Sequence, residues 1–569
     1  MRSISAASSC LDDPEAARRP LATPPERERE RAAMRAVLLV ALCASTHALL
    51  LARPVRARQP LMVAERIAIA GETRDREASL LVEPKAEAIA GVGRPYQVAI
   101  AGGGIGGLCT ALVLLNMGFE VTVFEKTRQY RPFGGPIQVA SNAAESIRRI
   151  DESTYDKILS KATVIGDRTN GLKDGLSDEW FATFDLDSPA RRRGQVSSVV
   201  IDRPILQDIL LEKVGHCVTK GCEVVGCREV GQRVVVELSD GTTHEADMLV
   251  GSDGIKSRVR DLFDPTRREP IWSGYTCVAG MAYVVPHDLK EVGYKVWVGP
   301  RKYFVSVDVG GGRIQWYAFL NIPPGTVSIE RQELVNWLRN EQFAEWAADV
   351  HLLLDHSPID EVEQRDLYDR PPDLQWSNGR VCLLGDAAHP MMPNLGQGGG
   401  MAIEDALILG QELAKLPRHG EEQPHPFALR DSIPRALRRY NQNRVLRAAA
   451  VQGLSRISSA FLFQYQPPIK LEWSPSPRLV HLGPRSWITR ACQGFLQNVA
   501  FPLQFEFLFS FPGEINPEMF AESNAGDFGS LQASQSPRPQ RAGPTKLGAP
   551  ERELVSGGMS LRDWLSQYW

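Results

Sequence analysis

Apolar and polar positions recur along this chain with two periods, and each switch between them marks an element. An apolar run from Val98 to Ala101 breaks into Gly102-x-Gly104-x-x-Gly107 and continues as a helical pattern through Met117. The chain turns at Gly118, and a second apolar run, Val121 to Phe124, ends at Glu125. Strand, glycine turn, helix, strand and acid in this order predict a βαβ unit that holds a dinucleotide. Gly102 permits the tight turn, Gly104 lets backbone approach a pyrophosphate, and Gly107 lets the helix sit close on the sheet. The phosphates would rest on the helix N-terminus, where unpaired N–H groups and the helix dipole favour negative charge. Glu125 stands where a carboxylate takes ribose hydroxyls.

Further along, Gly134 to Asp151 reads as a glycine-proline loop, a short strand and a helix from Ser141 with Asn142 in its first turn. Ser198 to Leu210 delivers Arg203 from a strand to the start of a helix, with Pro204 at its first position. Such an arginine sets a cation beside a phosphate or ring oxygen, or else forms a surface ion pair. Residues 223 to 250 alternate as a hairpin around Ser239-Asp240-Gly241 and lead through the short strand Met248 to Val250 into Gly251-Ser252-Asp253-Gly254, then a helix bearing Arg258 and Arg260. Four strand candidates follow between Gly274 and Phe319, a natural wall for a large apolar substrate.

The second centre spans Gly379 to Leu409. A buried strand, Val381 to Leu384, runs into Gly385-Asp386, a proline-bearing loop, the run Gly396-Gln397-Gly398-Gly399-Gly400, and a helix from Met401. Its backbone N–H groups suit an anion or an electron-rich ring, and Asp386 can accept sugar hydroxyls. His389, in a turn before Pro390, reads as a structural or surface residue rather than a base. Two separated nucleotide-contacting segments exceed what an NAD-only dehydrogenase needs.

Composition narrows the classes. A chain of 569 residues with 43% hydrophobic residues can bury a large core, enough for roughly two to four domains. A net charge of −3 and the lack of a basic, aromatic-interleaved stripe argue against nucleic acid. The nine cysteines include no C-x-x-C pair. Cys217, Cys222 and Cys227 therefore read as packing residues, and no metal site is expected. Residues 1–93 read as a disordered and targeting region. Arg, Glu and Pro dominate to residue 33, and Met34 then opens a signal-peptide-like order followed by a basic, transit-like stretch, which suggests plastid import. An uncleaved anchor from Ala36 to Ala52 is the alternative. Phe495, Phe501, Phe505, Phe507, Phe509 and Phe511 crowd a C-terminal segment that packs on the core or docks on a membrane. Residues 516–569 read as a mostly disordered tail.

Three motifs in order, Gly102-x-Gly104-x-x-Gly107 with Glu125, Gly251-Ser252-Asp253-Gly254, and Gly385-Asp386, resemble the group A flavoprotein monooxygenases. GPIQVASNA, WSGYTCVAG, KYFVSVDVGGGRIQWYAF and NLGQGGGMAIEDALIL are similar to the zeaxanthin-epoxidising members of that family, over roughly Arg94 to Ala450. The resemblance implies an α/β fold: a Rossmann-like FAD-binding βαβ domain across residues 94–515, with an inserted β-rich substrate part at about 260–375 and a C-terminal helical region. It implies that Gly102, Gly104 and Gly107 hold the FAD pyrophosphate and Glu125 the adenosine ribose. Arg203, Asp253 and Gly254 would contact the flavin, with Asp386 on the ribityl chain beside Gly396 and Gly398. A flavin C4a-hydroperoxide would transfer oxygen from O₂ to the β-ring of a xanthophyll, with NADPH or reduced ferredoxin as reductant and a peripheral thylakoid membrane as contact. No catalytic acid or base is expected, because an alkene gives up no proton on epoxidation. Ser252, Gly400 and the short loop between Lys126 and Gly134 depart from plant members, and the tail is too short for the forkhead-associated module those carry. A hydroxylase of a soluble aromatic and a flavin- or carotenoid-binding protein without turnover stay open. A halogenase is disfavoured because its W-x-W-x-I-P element is absent.

Overall fold

In the computed structural model, which describes residues 95–130, 135–261, 263, 269–325, 330–417, 432–464, 469–471, 478–480, 490 and 493–512, the first apolar run forms the strand Gln97–Ala101. The glycine turn leads into the helix Ile105–Asn116, and the chain returns as the strand Glu120–Glu125, parallel to the first, with Ala101 opposite Phe124. These strands sit inside a six-stranded sheet ordered Ser377–Asn378, Val381–Leu383, Met248–Gly251, Gln97–Ala101, Glu120–Glu125, Val218–Lys220. Every pairing is parallel except at the Ser377–Asn378 edge. Met248–Gly251 and Val381–Leu383 are apolar and buried throughout, and Gln97–Ala101 is so after its first residue, as sequences buried on both faces must be. The fold is α/β, as the sequence indicates. The readings of residues 1–93 and 516–569 lie outside the described residues.

Sequence and structure agree on the hairpin Arg233–Leu238 with Thr243–Ala246, which gains a third strand, Val224–Val230, through a tight turn at Gly231. They differ at the second glycine run. The helix begins at Gly398, three residues before Met401, and runs to Leu413. Glycine is a poor helix former, but here neighbours press close. A Cβ at Gly399 would lie 2.7 Å from Ile137 Cδ1 and one at Gly400 3.3 Å from Ala143 Cβ. Packing of this helix on the strand Ile137–Val139 and the helix Ser141–Ile150 overrides intrinsic propensity.

A seven-stranded sheet is ordered Glu363–Asp369, Ile271–Tyr283, Arg313–Leu320, Lys302–Asp308, Val292–Gly299, Thr169–Asp174, Trp180–Phe184. The four strand candidates are present. Two strands from far upstream join them through the parallel pairing of Val292–Gly299 with Thr169–Asp174. Register sorts the side chains. Tyr303 pairs with Val298 and Phe319, and Val305 with Val296 and Tyr317, so these six share one face. The alternate residues Val278, Trp297, Phe304 and Trp316 face the helices Arg331–Trp337 and Ala348–Asp355 and form a separate buried core. One face is thus covered by helices, and the other is left for the cavity described below.

A buried ion cluster ties the second glycine helix to the C-terminal region. Glu404 and Asp405 are adjacent on that helix, and Arg444 of the long helix Ser432–Gln464 donates to both at 2.7 Å, all three without solvent exposure. Arg447 pairs with Glu404 at 2.7 Å and donates to the carbonyls of Phe507 and Leu508 at 3.1 and 2.8 Å. It thereby anchors the helix Phe501–Phe509. Phe509 is buried, Phe184 meets the rings of Phe501 and Phe505 at 5.4 and 5.5 Å, and Phe511 lies under the guanidinium groups of Arg444 and Arg447 at 5.0 and 4.9 Å.

Burial raises the Asp405 carboxyl, but His389 and Arg444 beside it outweigh that and hold it at about 2. Its folded value lies below the ordinary 3.8, so its stabilisation is complete above that value and is lost as pH falls towards 2. Asp405→Asn should cost about 2–4 kcal/mol at neutral pH, because it removes one of the two carboxylates that compensate Arg444 in the core. Urea melts from pH 5 down to 2 should show a shallower loss of stability in the variant than in the parent.

Candidate active site

The first glycine turn is built by close contact. Gly102 has φ +101°, and a Cβ there would lie 2.4 Å from the Ser252 carbonyl oxygen. A Cβ at Gly107 would lie 2.0 Å from the Gly102 oxygen and 2.7 Å from Ser252 Oγ. Only glycine fits at either position, and Ser252 Oγ uses the approach to donate to the carbonyls of Ala101 and Gly102 at 2.9 and 3.1 Å. At Gly104, by contrast, a Cβ would meet nothing within 4 Å. The Glu125 carboxylate caps this turn, with Oε2 accepting from the Gly103 N–H at 2.7 Å and Oε1 from the Thr127 N–H at 2.8 Å. It is buried, and its orientation is fixed by backbone.

A cavity of about 340 Å³ opens beside this turn and is lined by Gly102, Gly104, Glu125, Arg203, Asp253, Gly254, Asp386, Gly396 and Gly398. Nine of the ten residues singled out in the sequence therefore converge. Gly107 lies beneath, packed against the turn. Arg203 opens the helix Arg203–Val214, directly after the strand Val199–Ile201. The second glycine helix points its first residues at the same space, with Gly398 4.0 Å from Asp386 Oδ1 as measured from a built Cβ. An electropositive helix start and an arginine thus face two carboxyl groups across one cavity.

Those carboxyl groups are perturbed. Burial raises Asp253, although its Oδ2 accepts from the Arg258 and Val259 N–H groups at 2.7 and 3.2 Å. Its Oδ1 is buried with no hydrogen-bond partner, an acceptor that a ligand hydroxyl would satisfy. Burial also raises Asp386, opposed by His389 and Arg203.

The far half of the cavity belongs to the seven-stranded sheet, through Cys277, Tyr294, Val296, Tyr303, Val305 and Phe319 among others. Burial pushes the Cys277 thiol and the Tyr317 hydroxyl up to about 12, so both stay protonated near neutral pH. The cavity therefore has a polar glycine-loop half and a largely apolar, tyrosine-bearing half in which Arg365, opposite Cys277, is the charged residue.

Several residues that hold this arrangement escaped sequence reasoning. Asp405 Oδ2 accepts from the Gly385 N–H at 2.9 Å and lies 2.6 Å from His389 Nε2, so His389 is a buried structural residue behind the loop. Asn142 donates to Glu404 at 2.7 Å and to Gln397 at 3.0 Å. Tyr130 donates to the Gly103 carbonyl at 3.2 Å. Two acids inside the otherwise apolar stretch GMAIEDALIL were the available signal for the cluster. Cys217, Cys222 and Cys227 are free thiols, and among the described residues no group of His, Cys, Asp and Glu could hold a metal.

The profile of a family described as the FAD binding domain matches residues 95–426. Chloroplastic zeaxanthin epoxidases of Oryza sativa subsp. japonica and Nicotiana plumbaginifolia are each 41% identical over 403 residues, 70% of this chain and 59% and 58% of theirs. The chain spans about three-fifths of the length of these curated relatives. Among solved structures, Klebsiella pneumoniae HpxO complexed with FAD and uric acid is similar with a TM-score of 0.57 and 26% identity, covering 65% of this chain and 89% of that one. A salicylate hydroxylase substrate complex shares the fold with a TM-score of 0.56 and 21% identity, over 74% and 99% of the two chains.

Two glycine substitutions separate fold from site. Gly107→Ala should lower the melting temperature by several degrees, because its Cβ collides with backbone. Gly104→Ala should change stability by less than about 0.5 kcal/mol, because its Cβ enters the cavity. Thermal melts of the two proteins check the contrast.

Proposed function

We propose, for a chain that belongs to the FAD binding domain family, that it is an FAD-dependent monooxygenase epoxidising the β-rings of a xanthophyll inside a plastid. Zeaxanthin would pass to antheraxanthin and violaxanthin, or diatoxanthin to diadinoxanthin. The observation that carries this reading is the continuity of one cavity from the two glycine loops to an apolar sheet face. Similarity to zeaxanthin epoxidases across 70% of the chain supports it.

The lining fits the cofactor. Open space at Gly104 admits a pyrophosphate, and Glu125, braced by Gly103 and Thr127, keeps acceptor capacity for ribose hydroxyls. Gly254 adjoins Asp253, whose orphaned Oδ1 suits a further hydroxyl. Asp386 would take the ribityl chain, with Arg203 and the start of the Gly396–Gly398 turn against the ring. FAD, when bound, supplies the activated oxygen.

The chain's own part is positional. Val296, Val305, Phe319 and Leu367 present a face that favours a hydrocarbon ring and keeps water from the reacting centre. Adding oxygen across an alkene removes no proton from the substrate, so no lining side chain is assigned as acid or base. Holding the double bond in one orientation is then the protein's main contribution.

Electrons would come from NADPH or reduced ferredoxin. An apolar substrate also needs a route from lipid. Among the described residues no helix is long and apolar enough to cross a membrane. Phe495 and Val499 just before the anchored helix Phe501–Phe509, and Leu503 on it, stand exposed at 37%, 39% and 44%, and this is the surface we assign to peripheral thylakoid contact.

The test is to isolate the protein, record its visible spectrum, supply zeaxanthin in lipid micelles with either reductant, and separate the products. Flavin absorbance with antheraxanthin and violaxanthin is expected. Bound flavin that turns over only small soluble aromatics would replace this reading with a hydroxylase. Arg203→Ala should weaken FAD binding about tenfold to a hundredfold, the worth of one charge-assisted contact, as read by titration of flavin fluorescence.

A further inference from the structure

On the sheet side of the cavity, Asn394 and Tyr303 form a polar pair. Asn394 sits in the turn Pro393–Leu395, directly before Gly396, and lines the cavity together with Tyr303. Its Nδ2 donates to the Tyr303 hydroxyl at 2.8 Å, while its Oδ1 is buried with no hydrogen-bond partner. Exchanging the two ends of the amide would let the oxygen accept from the Tyr303 hydroxyl and put the nitrogen in the unpaired position. In either orientation one strong hydrogen-bonding group is left over, at a cost to the protein unless a ligand meets it.

The surroundings limit what that ligand can be. The Tyr303 ring stacks on Phe319 with centroids 4.3 Å apart, and Cys277 and Leu367 share the same buried cluster. Tyr303 itself is held neutral, because burial raises its hydroxyl well above the ordinary value. A hydroxyl on a bulky apolar ring gains in both respects: the ring buries against tyrosine and phenylalanine, and the hydroxyl, which both donates and accepts, satisfies either amide orientation.

We propose that Asn394, oriented by Tyr303, reads a hydroxyl on the ring entering the cavity and so separates hydroxylated from unhydroxylated carotenoid rings. This rests on the epoxidase reading above and adds a specificity-determining residue to it. A site built to bond a hydroxyl rejects the analogue without one, because the protein group is then left unpaired.

Zeaxanthin and β-carotene carry the same ring double bond and differ in the ring hydroxyl, so together they form the probe. Holoenzyme, Asn394→Leu and Tyr303→Phe would be compared for flavin content, for carotenoid binding read by quenching of flavin emission, and for kcat/KM of epoxidation. The parent should favour zeaxanthin. Asn394→Leu should lower that preference about tenfold in both binding and kcat/KM, with β-carotene unchanged or improved. Tyr303→Phe should give a smaller fall, and it carries the same test if Asn394→Leu loses flavin. An unchanged preference in both variants, whether the two substrates weaken together or not at all, overturns the proposal. A parent that binds both carotenoids yet epoxidises neither contradicts the epoxidase reading, while its binding preference still decides the role of Asn394.

Discussion

Two carboxylates side by side on a buried helix are tolerated only if cations compensate both, and Arg444 reaches Glu404 and Asp405 at 2.7 Å each while Arg447 reaches Glu404 at 2.7 Å. Much of the site depends on that constraint. Asp405 spends its second oxygen on the Gly385 N–H and His389, which fixes the loop carrying Asp386. Glu404 spends its second oxygen on Asn142 and Arg447, which fixes the neighbouring helix and the C-terminal segment. Desolvation makes such a cluster a weak source of net stability but a strong source of uniqueness, since any partial version leaves a bare charge in the core.

The cluster faces away from the chemistry, and its consequence is the shape of the cavity. One wall is made of turns where backbone comes closer than side chains allow, at Gly102 and Gly107. The other is a sheet face sorted by register, with Tyr303, Val305, Tyr317 and Phe319 inward and Trp297, Phe304 and Trp316 against helices. A polar cofactor and an apolar ring can therefore occupy adjoining parts of one space. Cofactor chemistry needs that adjacency more than it needs an acid or base from the protein.

How much of this the sequence reveals follows from the range of the interactions. The first βαβ unit is legible because strand, turn and helix are local, and the sheet faces are legible from alternation. The strands Thr169–Asp174 and Trp180–Phe184 carry no comparable signal, since their place depends on pairing with Val292–Gly299 more than a hundred residues on. The helix start at Gly398 is not legible in the sequence because local propensity disfavours glycine, whereas close packing on Ile137 and Ala143 requires it. Of the polar residues that brace the site, Tyr130 and Arg444 reveal themselves only once the chain is folded. Asp253 and Asp386 are legible because the turns around them are sequence motifs.

Under the proposed function, cofactor and substrate ring share one cavity but lean on different walls. Filling the sheet wall tests it most directly. Val305→Trp adds bulk to the sheet half, on a strand separate from the glycine turns. Flavin content and zeaxanthin epoxidation, measured on the same preparation, should separate: flavin retained at the parental level, epoxide formation reduced by at least about a hundredfold. Epoxidation at the parental rate with flavin bound would place the substrate elsewhere and contradict the account.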